Sequence, residues 1–330
     1  MRRREVITLF GAAVAMSPGM WPLAAHAQPV AMPVIGYLNL GPPETNAADL
    51  AAFRKGLSEI GFVEGRNVTI EYRWALNESN RLPELAADLV RRRVSVITAI
   101  GALAALAAKA ATATIPIVLT TGGDPVETGL VASLNRPGGN ITGINDMGAE
   151  LVGKQLGLLH DLLPGATRFA VLVNPINKNA EPIVTDLKAA ASAIGLQLEV
   201  LTATTSRDID AAFASLMQKR IDAILVSSVP LFLSRRVQLT TLATRHALPA
   251  IYSGREYAEA GGLMSYAASR TDQLRQTGIY TGRILKGEKP ADLPVMRAVK
   301  FEFVINLQTA RTLGIEIPPG LLAIADAVIE

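Results

Sequence analysis

From Val34 onward the chain alternates short β-branched runs with stretches of helical spacing, punctuated by Gly, Pro or Asn. That alternation leaves few options, because strands joined through helices run parallel, and a parallel sheet needs helices on both faces. Val34–Asn39 reads as a first strand. Leu50, Phe53, Leu57 and Ile60 follow at spacings of three and four, one apolar face of a helix, and Gly61 supplies a left-handed stop. A strand over 68–72, a helix over 82–92, a strand over 94–100, an alanine-rich helix over 102–111 and a strand over 115–120 continue the pattern. Together they make one doubly wound lobe.

The pattern then begins again. The run from Phe169 to Asn174 echoes Val34–Asn39 as a buried strand ending in Asn, and Ile194-Gly195 closes a helix as Ile60-Gly61 does. Residues 223–228 parallel 96–101, and Leu248-Pro249 parallels Ile115-Pro116. This is a weak internal repeat of two α/β lobes, although any run of βαβ units shows such echoes. The second lobe begins near Gly148 and holds strands near 169, 197, 223 and 250. After Tyr266 come a helix over 271–285, an extended segment over 295–304 and a helical portion ending at Glu330. A late extended segment suits a chain that recrosses between lobes, with candidate crossings at 140–146, 263–268 and 295–301. The expected division is lobe I over 33–143 plus 267–295 and lobe II over 144–266 plus 296–330, two Rossmann-like doubly wound lobes on a three-segment hinge.

The first residues read as an export signal. Arg2, Arg3 and Arg4 precede an apolar run over 6–16 and then Ala25-His26-Ala27, a charged start, an apolar stretch and an A-x-A cleavage site. The run is shorter than the roughly 20 residues that span a membrane. Arg3-Arg4 resembles a twin-arginine signal and equally fits an ordinary basic start. Cleavage after Ala27 leaves 303 residues, more than one core usually serves. Three of the 32 basic and one of the 29 acidic residues lie in this segment, which leaves 29 against 28 and assigns most of the +3 charge to the leader. With no clustered basic face, no nucleic-acid partner is expected. The absence of cysteine excludes disulfides, thiol catalysis, thiolate metal sites and a lipid-anchored cysteine. A free periplasmic monomer is expected, without cofactor or metal.

Histidine is nearly absent: besides His26 there are only His160 and His246, both within expected helices. No H-E-x-x-H, Gly-x-Ser-x-Gly, phosphate-binding G-x-x-x-x-G-K-[ST] or post-strand G-x-G-x-x-G pattern occurs. What remains is the geometry of open α/β sheets, which bind ligands at the carboxyl ends of their strands. In lobe I those ends are Asn39, Gly101-Ala102 and Gly122-Gly123-Asp124. The helix starting at Ala102 has a small first turn whose N–H groups stay open to a carboxylate. Asp124 either takes an amine or shapes the turn before Pro125. Lobe II offers Asn174, Ser227, Ser228 and the loop from Tyr252 to Glu256, with Tyr252, Tyr257 or Tyr266 available for stacking.

At these residues the sequence resembles a known family. Gly123-Asp124-Pro125-Val126, Gly129-Leu130-Val131 and the Pro-Gly-Gly-Asn140 stretch running to Gly143 resemble the ABC-transporter substrate-binding proteins that include tryptophan and tyrosine binders. Ile115-Pro116-Ile117-Val118, the Arg-Glu-Tyr-Ala run from Arg255, Gly261-Gly262-Leu263-Met264 and Ile305-Asn306-Leu307 extend the likeness over the mature chain. The resemblance implies a type I periplasmic-binding-protein fold and a non-enzymatic protein that closes on a small organic ligand and delivers it to a membrane permease. It also implies an amino-acid carboxylate near Gly101 and Ala102, with the amine near Asp124 or Glu256. A sensory ligand-binding subunit shares the same fold, and an exported α/β enzyme using Asp124 and Glu256 is the alternative from another class.

Overall fold

In the computed structural model, residues 32–330 are described apart from 149, 178 and 179. The expected leader over 1–27 lies outside the described residues. In chain order the strands are β1 (Val34–Asn39), β2 (Thr69–Trp74), β3 (Val96–Ile100), β4 (Ile117–Thr121), β5 (Ile141–Asn145), β6 (Arg168–Val173), β7 (Gln197–Thr202), β8 (Ala223–Val226), β9 (Ala250–Tyr252), β10 (Met264–Ala268), β11 (Met296–Arg297), β12 (Phe301–Asn306) and β13 (Ala327–Ile329). The helices are α1 (Ala47–Glu59), α2 (Leu82–Arg91), α3 (Ala102–Ala111), α4 (Val152–Leu162), α5 (Ala180–Ala193), α6 (Ser206–Lys219), α7 (Pro230–Ser234), α8 (Arg236–Arg245), α9 (Arg255–Glu259), α10 (Arg270–Leu285), α11 (Leu307–Leu313) and α12 (Pro319–Ile324).

Two sheets result, each the centre of one lobe. The first has the order β11-β5-β4-β3-β1-β2 and the second β13-β12-β10-β9-β8-β6-β7. Within both, the first five strands follow one spatial order, with the second strand outside the first and the third, fourth and fifth on its other side, so the repeat in the sequence is a repeat in topology. All pairings in the first sheet are parallel, and in the second only β10 with β12 is antiparallel. Central strands such as β3 and β4 are buried along their whole length, as strands covered on both faces must be. One core fills each face: β1 sends Leu38 toward α2 and α3, and Ile35 and Tyr37 toward α1 and α10.

The chain passes between the sheets after β5, after β10 and after β11. Each segment read from the sequence as a crossing holds one of these strands and ends near the passage. The three passages are tied together: Ala298 N–H donates to Asn145 O at 2.8 Å and Ser269 N–H to Lys300 O at 2.9 Å, and Arg297 pairs with Glu150. The extended segment over 295–304 is two strands in different sheets, and the helical end expected at Glu330 closes instead with strand β13 beside β12. Three residues are too few to show a period of two.

Helices α1 and α10 meet backbone to backbone. A Cβ on Gly56 would lie 1.8 Å from Arg275 O, and one on Gly278 would lie 2.2 Å from Phe53 O. That contact fixes the head of α10, where Arg270 stands, against the first turn of α1. Among the described residues no helix is long and apolar enough to cross a membrane.

Candidate binding cleft

Strand order reverses between β1 and β3 in one sheet and between β6 and β8 in the other, and the loops at these reversals are where open α/β sheets form their crevices. In lobe I, Asn39 is buried at the end of β1. It donates from Nδ2 to Asn46 Oδ1 at 3.1 Å and accepts Gly41 N–H at 2.9 Å, so it shapes the loop into α1. Gly101 takes φ +89° at the N-cap of α3, a value that side chains rarely adopt, and an added Cβ would meet nothing within 4 Å. Its N–H donates to Thr120 Oγ1 at 3.0 Å. No side chain caps α3, so the first-turn N–H groups from Ala102 onward stay available to an anion. Gly123 N–H donates to Thr121 Oγ1 at 3.4 Å.

Asp124 serves the turn: it is exposed, and its Oδ1 accepts Val126 N–H at 2.7 Å and Glu127 N–H at 3.4 Å. Of the two readings made from the sequence, the geometry therefore carries the turn. Tyr252 corrects the sequence reading outright. It is 0% exposed, stacked on Tyr257 at 4.8 Å within the core of lobe II, and strand parity turns it away from the cleft. Tyr257 is buried with it, and Tyr266 packs against Phe301 and Phe303. Asn174 Oδ1 accepts Ile176 N–H at 3.0 Å in the loop after β6. Ser227 is buried with an unpartnered hydroxyl at the end of β8. Ser228 is exposed and reaches the first passage, 3.9 Å from where a Cβ on Gly148 would stand. His160 and His246 pack against Phe169 and Phe213.

The charged centre of the cleft involves residues the sequence reading did not single out. Arg270, the first residue of α10, donates from Nε to Asp49 Oδ1 and Oδ2 at 3.0 and 2.8 Å and from Nη2 to Oδ2. Across the lobes its Nε stands 4.0 Å from Glu256 Oε1. Burial works against the guanidinium charge, and the Asp49 carboxylate beside it more than offsets this, leaving the pKa above its ordinary value. Asp146, one residue past β5, accepts Gly148 N–H at 2.9 Å, and the Arg270 charge acts on it too. Tyr37 lies beneath this cluster, fully buried, its hydroxyl without a partner and its pKa raised by burial and then by Asp49. One signal was available: Arg270 directly follows a strand and a passage, the position from which side chains reach a cleft.

Burial raises the Asp146 pKa above the usual carboxylate range, against the pull of the Gly148 N–H, Arg270 and Gln273. A group whose folded pKa lies above its unfolded value contributes most below the unfolded pKa, and loses that contribution as pH rises through the folded one. Asp146→Asn is therefore expected to melt above wild type at pH 7, with the difference shrinking as the pH falls through the carboxylate range and the wild-type carboxyl takes up its proton. Melting curves across that range check it; a variant that melts below wild type at pH 7 contradicts it.

A separate depression of about 380 Å³ is lined by Thr240, Thr241, Thr244, Arg245, Ala260 and Gly261. It lies on lobe II by the N-terminal ends of β9 and β10, away from the charged cluster.

Residues 44–329 match the model of a family described as ABC transporter substrate binding protein. The chain belongs to that family. A relative named tyrosine-binding protein, from Clostridioides difficile (strain R20291), is 30% identical over 264 residues, covering 80% of this chain and 76% of its own. Among solved structures, an ABC domain in complex with L-Trp from Streptococcus pneumoniae is 27% identical with a TM-score of 0.82. A substrate-binding protein with adhesive properties from Clostridium difficile, in its ligand-free, open structure, is 28% identical with a TM-score of 0.70. Both comparisons cover 90% of this chain and 99% of the other. The fold is thus the type I periplasmic-binding-protein fold, and the role is capture of a small solute.

Proposed function

We propose that the protein is exported to the periplasm, encloses an aromatic α-amino acid between its lobes and passes it to the membrane permease of an ABC importer. It binds its ligand without transforming it and acts as a single chain. The observation that carries the ligand reading is the charge of the cleft, in which one guanidinium, Arg270, stands among three carboxylates, Asp49, Asp146 and Glu256. An ammonium beside Glu256 offsets part of that negative excess, and the uncapped first turn of α3 after Gly101 suits the ligand's carboxylate. The tyrosine-binding relative and the tryptophan-bound structure support an aromatic side chain.

Protein recovered from the periplasm of its host is expected to begin near Gln28 and, on denaturation, to release an aromatic amino acid identifiable by mass spectrometry. In calorimetric titration, tyrosine or tryptophan is expected to bind, and the matching arylpropionate, which lacks the amine, is not. Tight binding of the amine-free acid, or of a sugar alone, overturns the ligand reading.

A further inference from the structure

The Asp49–Arg270–Glu256 arrangement has a consequence for the empty protein. Arg270 belongs to the head of α10, which packs on lobe I, and Asp49 of α1 grips its guanidinium through both carboxylate oxygens. Asp49 keeps only 11% of its side-chain surface exposed, so the positive charge is fixed to one jaw. On the other jaw, Glu256 in the first turn of α9 folds back over Gly254, where a Cβ would lie 2.5 Å from its Oε2. Arg270 and Glu256 retain 41% and 36% of their side-chain surface. Both side chains are thus part-exposed at the point where they approach, within reach of solvent and salt.

We propose that Asp49, Arg270 and Glu256 form an electrostatic clasp that draws the empty lobes together, with Asp49 as the positioning residue that aims Arg270 at Glu256. The clasp rests on the two-lobe solute-binding reading and is independent of which ligand is bound. Exposed ion pairs contribute little, so the clasp biases closure and does not lock it. A shift of roughly two- to five-fold in the ratio of closed to open molecules is the expected size. Ligand then adds its differential affinity for the closed state to an equilibrium already tilted that way.

The test uses the mature chain without ligand. Since the sequence has no cysteine, Arg66→Cys on lobe I and Lys188→Cys on lobe II give two unique sites for a fluorophore pair, read by single-molecule energy transfer. Wild type is expected to lose closed molecules as NaCl rises from about 10 mM to 1 M, over which the screening length falls from about 30 to 3 Å. Glu256→Gln and Asp49→Asn are expected to lower the closed-to-open ratio roughly two- to five-fold at low salt and to flatten the salt response. Gly254→Ala, extended at φ −176° and so open to alanine, keeps every charge and displaces the Glu256 carboxylate; it is expected to shift the ratio the same way. Circular dichroism and melting curves confirm that each variant is folded. Closed fractions that ignore salt in wild type, or that stay at the wild-type level in Glu256→Gln and Gly254→Ala, overturn the clasp. Failure of every amino acid to bind wild type overturns the ligand reading and leaves this result untouched.

Discussion

Gly278→Ala is expected to lower the melting temperature by roughly 6–12 °C, the equivalent of about 3 kcal/mol for a protein of this size. Helix propensity argues for the opposite sign, because alanine exceeds glycine by about 1 kcal/mol in a helix interior. Packing decides the outcome. A Cβ at position 278 would lie 2.2 Å from Phe53 O and 2.8 Å from Leu57 N, both backbone atoms that cannot rotate aside. Helices α1 and α10 must separate, and Gly56, whose own Cβ would meet Arg275 O, leaves no slack nearby. Gly153 and Gly157 on α4 supply the control, since an added Cβ at either meets nothing within 4 Å. Alanine there is expected to be neutral or stabilising. Differential scanning calorimetry of the three variants measures the contrast, and a Gly278→Ala protein that melts at or above wild type contradicts the packing argument. Because α10 carries Arg270, the same variant is expected to weaken ligand binding as well.

Glu256→Gln is expected to weaken binding of an aromatic amino acid by roughly 30-fold or more. Truncating one partner of a hydrogen-bonded charge pair that becomes buried costs about 2 to 5 kcal/mol, at about 1.4 kcal/mol per tenfold in affinity. The cost arises because the ligand's ammonium loses its counter-charge in a closed cleft that excludes water. Asp124→Asn is expected to leave affinity near wild type, since the asparagine oxygen can still accept the Val126 and Glu127 N–H groups that now hold the turn. Calorimetric titration of both variants against wild type reads the difference. Loss of binding in Asp124→Asn with Glu256→Gln unaffected reverses the assignment.

The two aspartates show where sequence reasoning reaches its limit. Asp124 and Asp146 both follow a strand of lobe I, at β4 and β5, and no local pattern separates their roles. The Gly-Gly-Asp-Pro turn draws the Asp124 oxygen back onto its own backbone, whereas Asp146 sits in a passage between lobes and comes under the field of Arg270. Tyr252 fails for a related reason. A strand end points at the cleft, but alternate side chains point to opposite faces, and Tyr252 falls on the face covered by the core around Phe213 and Phe232. Glu256, which the sequence reading named as one candidate partner for an amine, lies in the first turn of α9 just past a strand end, with its Oε1 4.0 Å from Arg270 Nε of the other lobe.

What the sequence alone determined is what short-range physics sets. The spacing of Leu50, Phe53 and Leu57 made α1, Gly101 freed the N-terminus of α3, and the repeated strand–helix alternation led to two sheets of like order. These follow from backbone sterics and from apolar periodicity over a few turns, which act between residues close in the chain. Only the tertiary structure decided that Arg270 is held by Asp49, 221 positions away, and faces Glu256. That meeting depends on three passages between the lobes and on a glycine contact between α1 and α10. Coulomb interactions depend on distance in space, and no periodicity records which distant charges the fold will bring together.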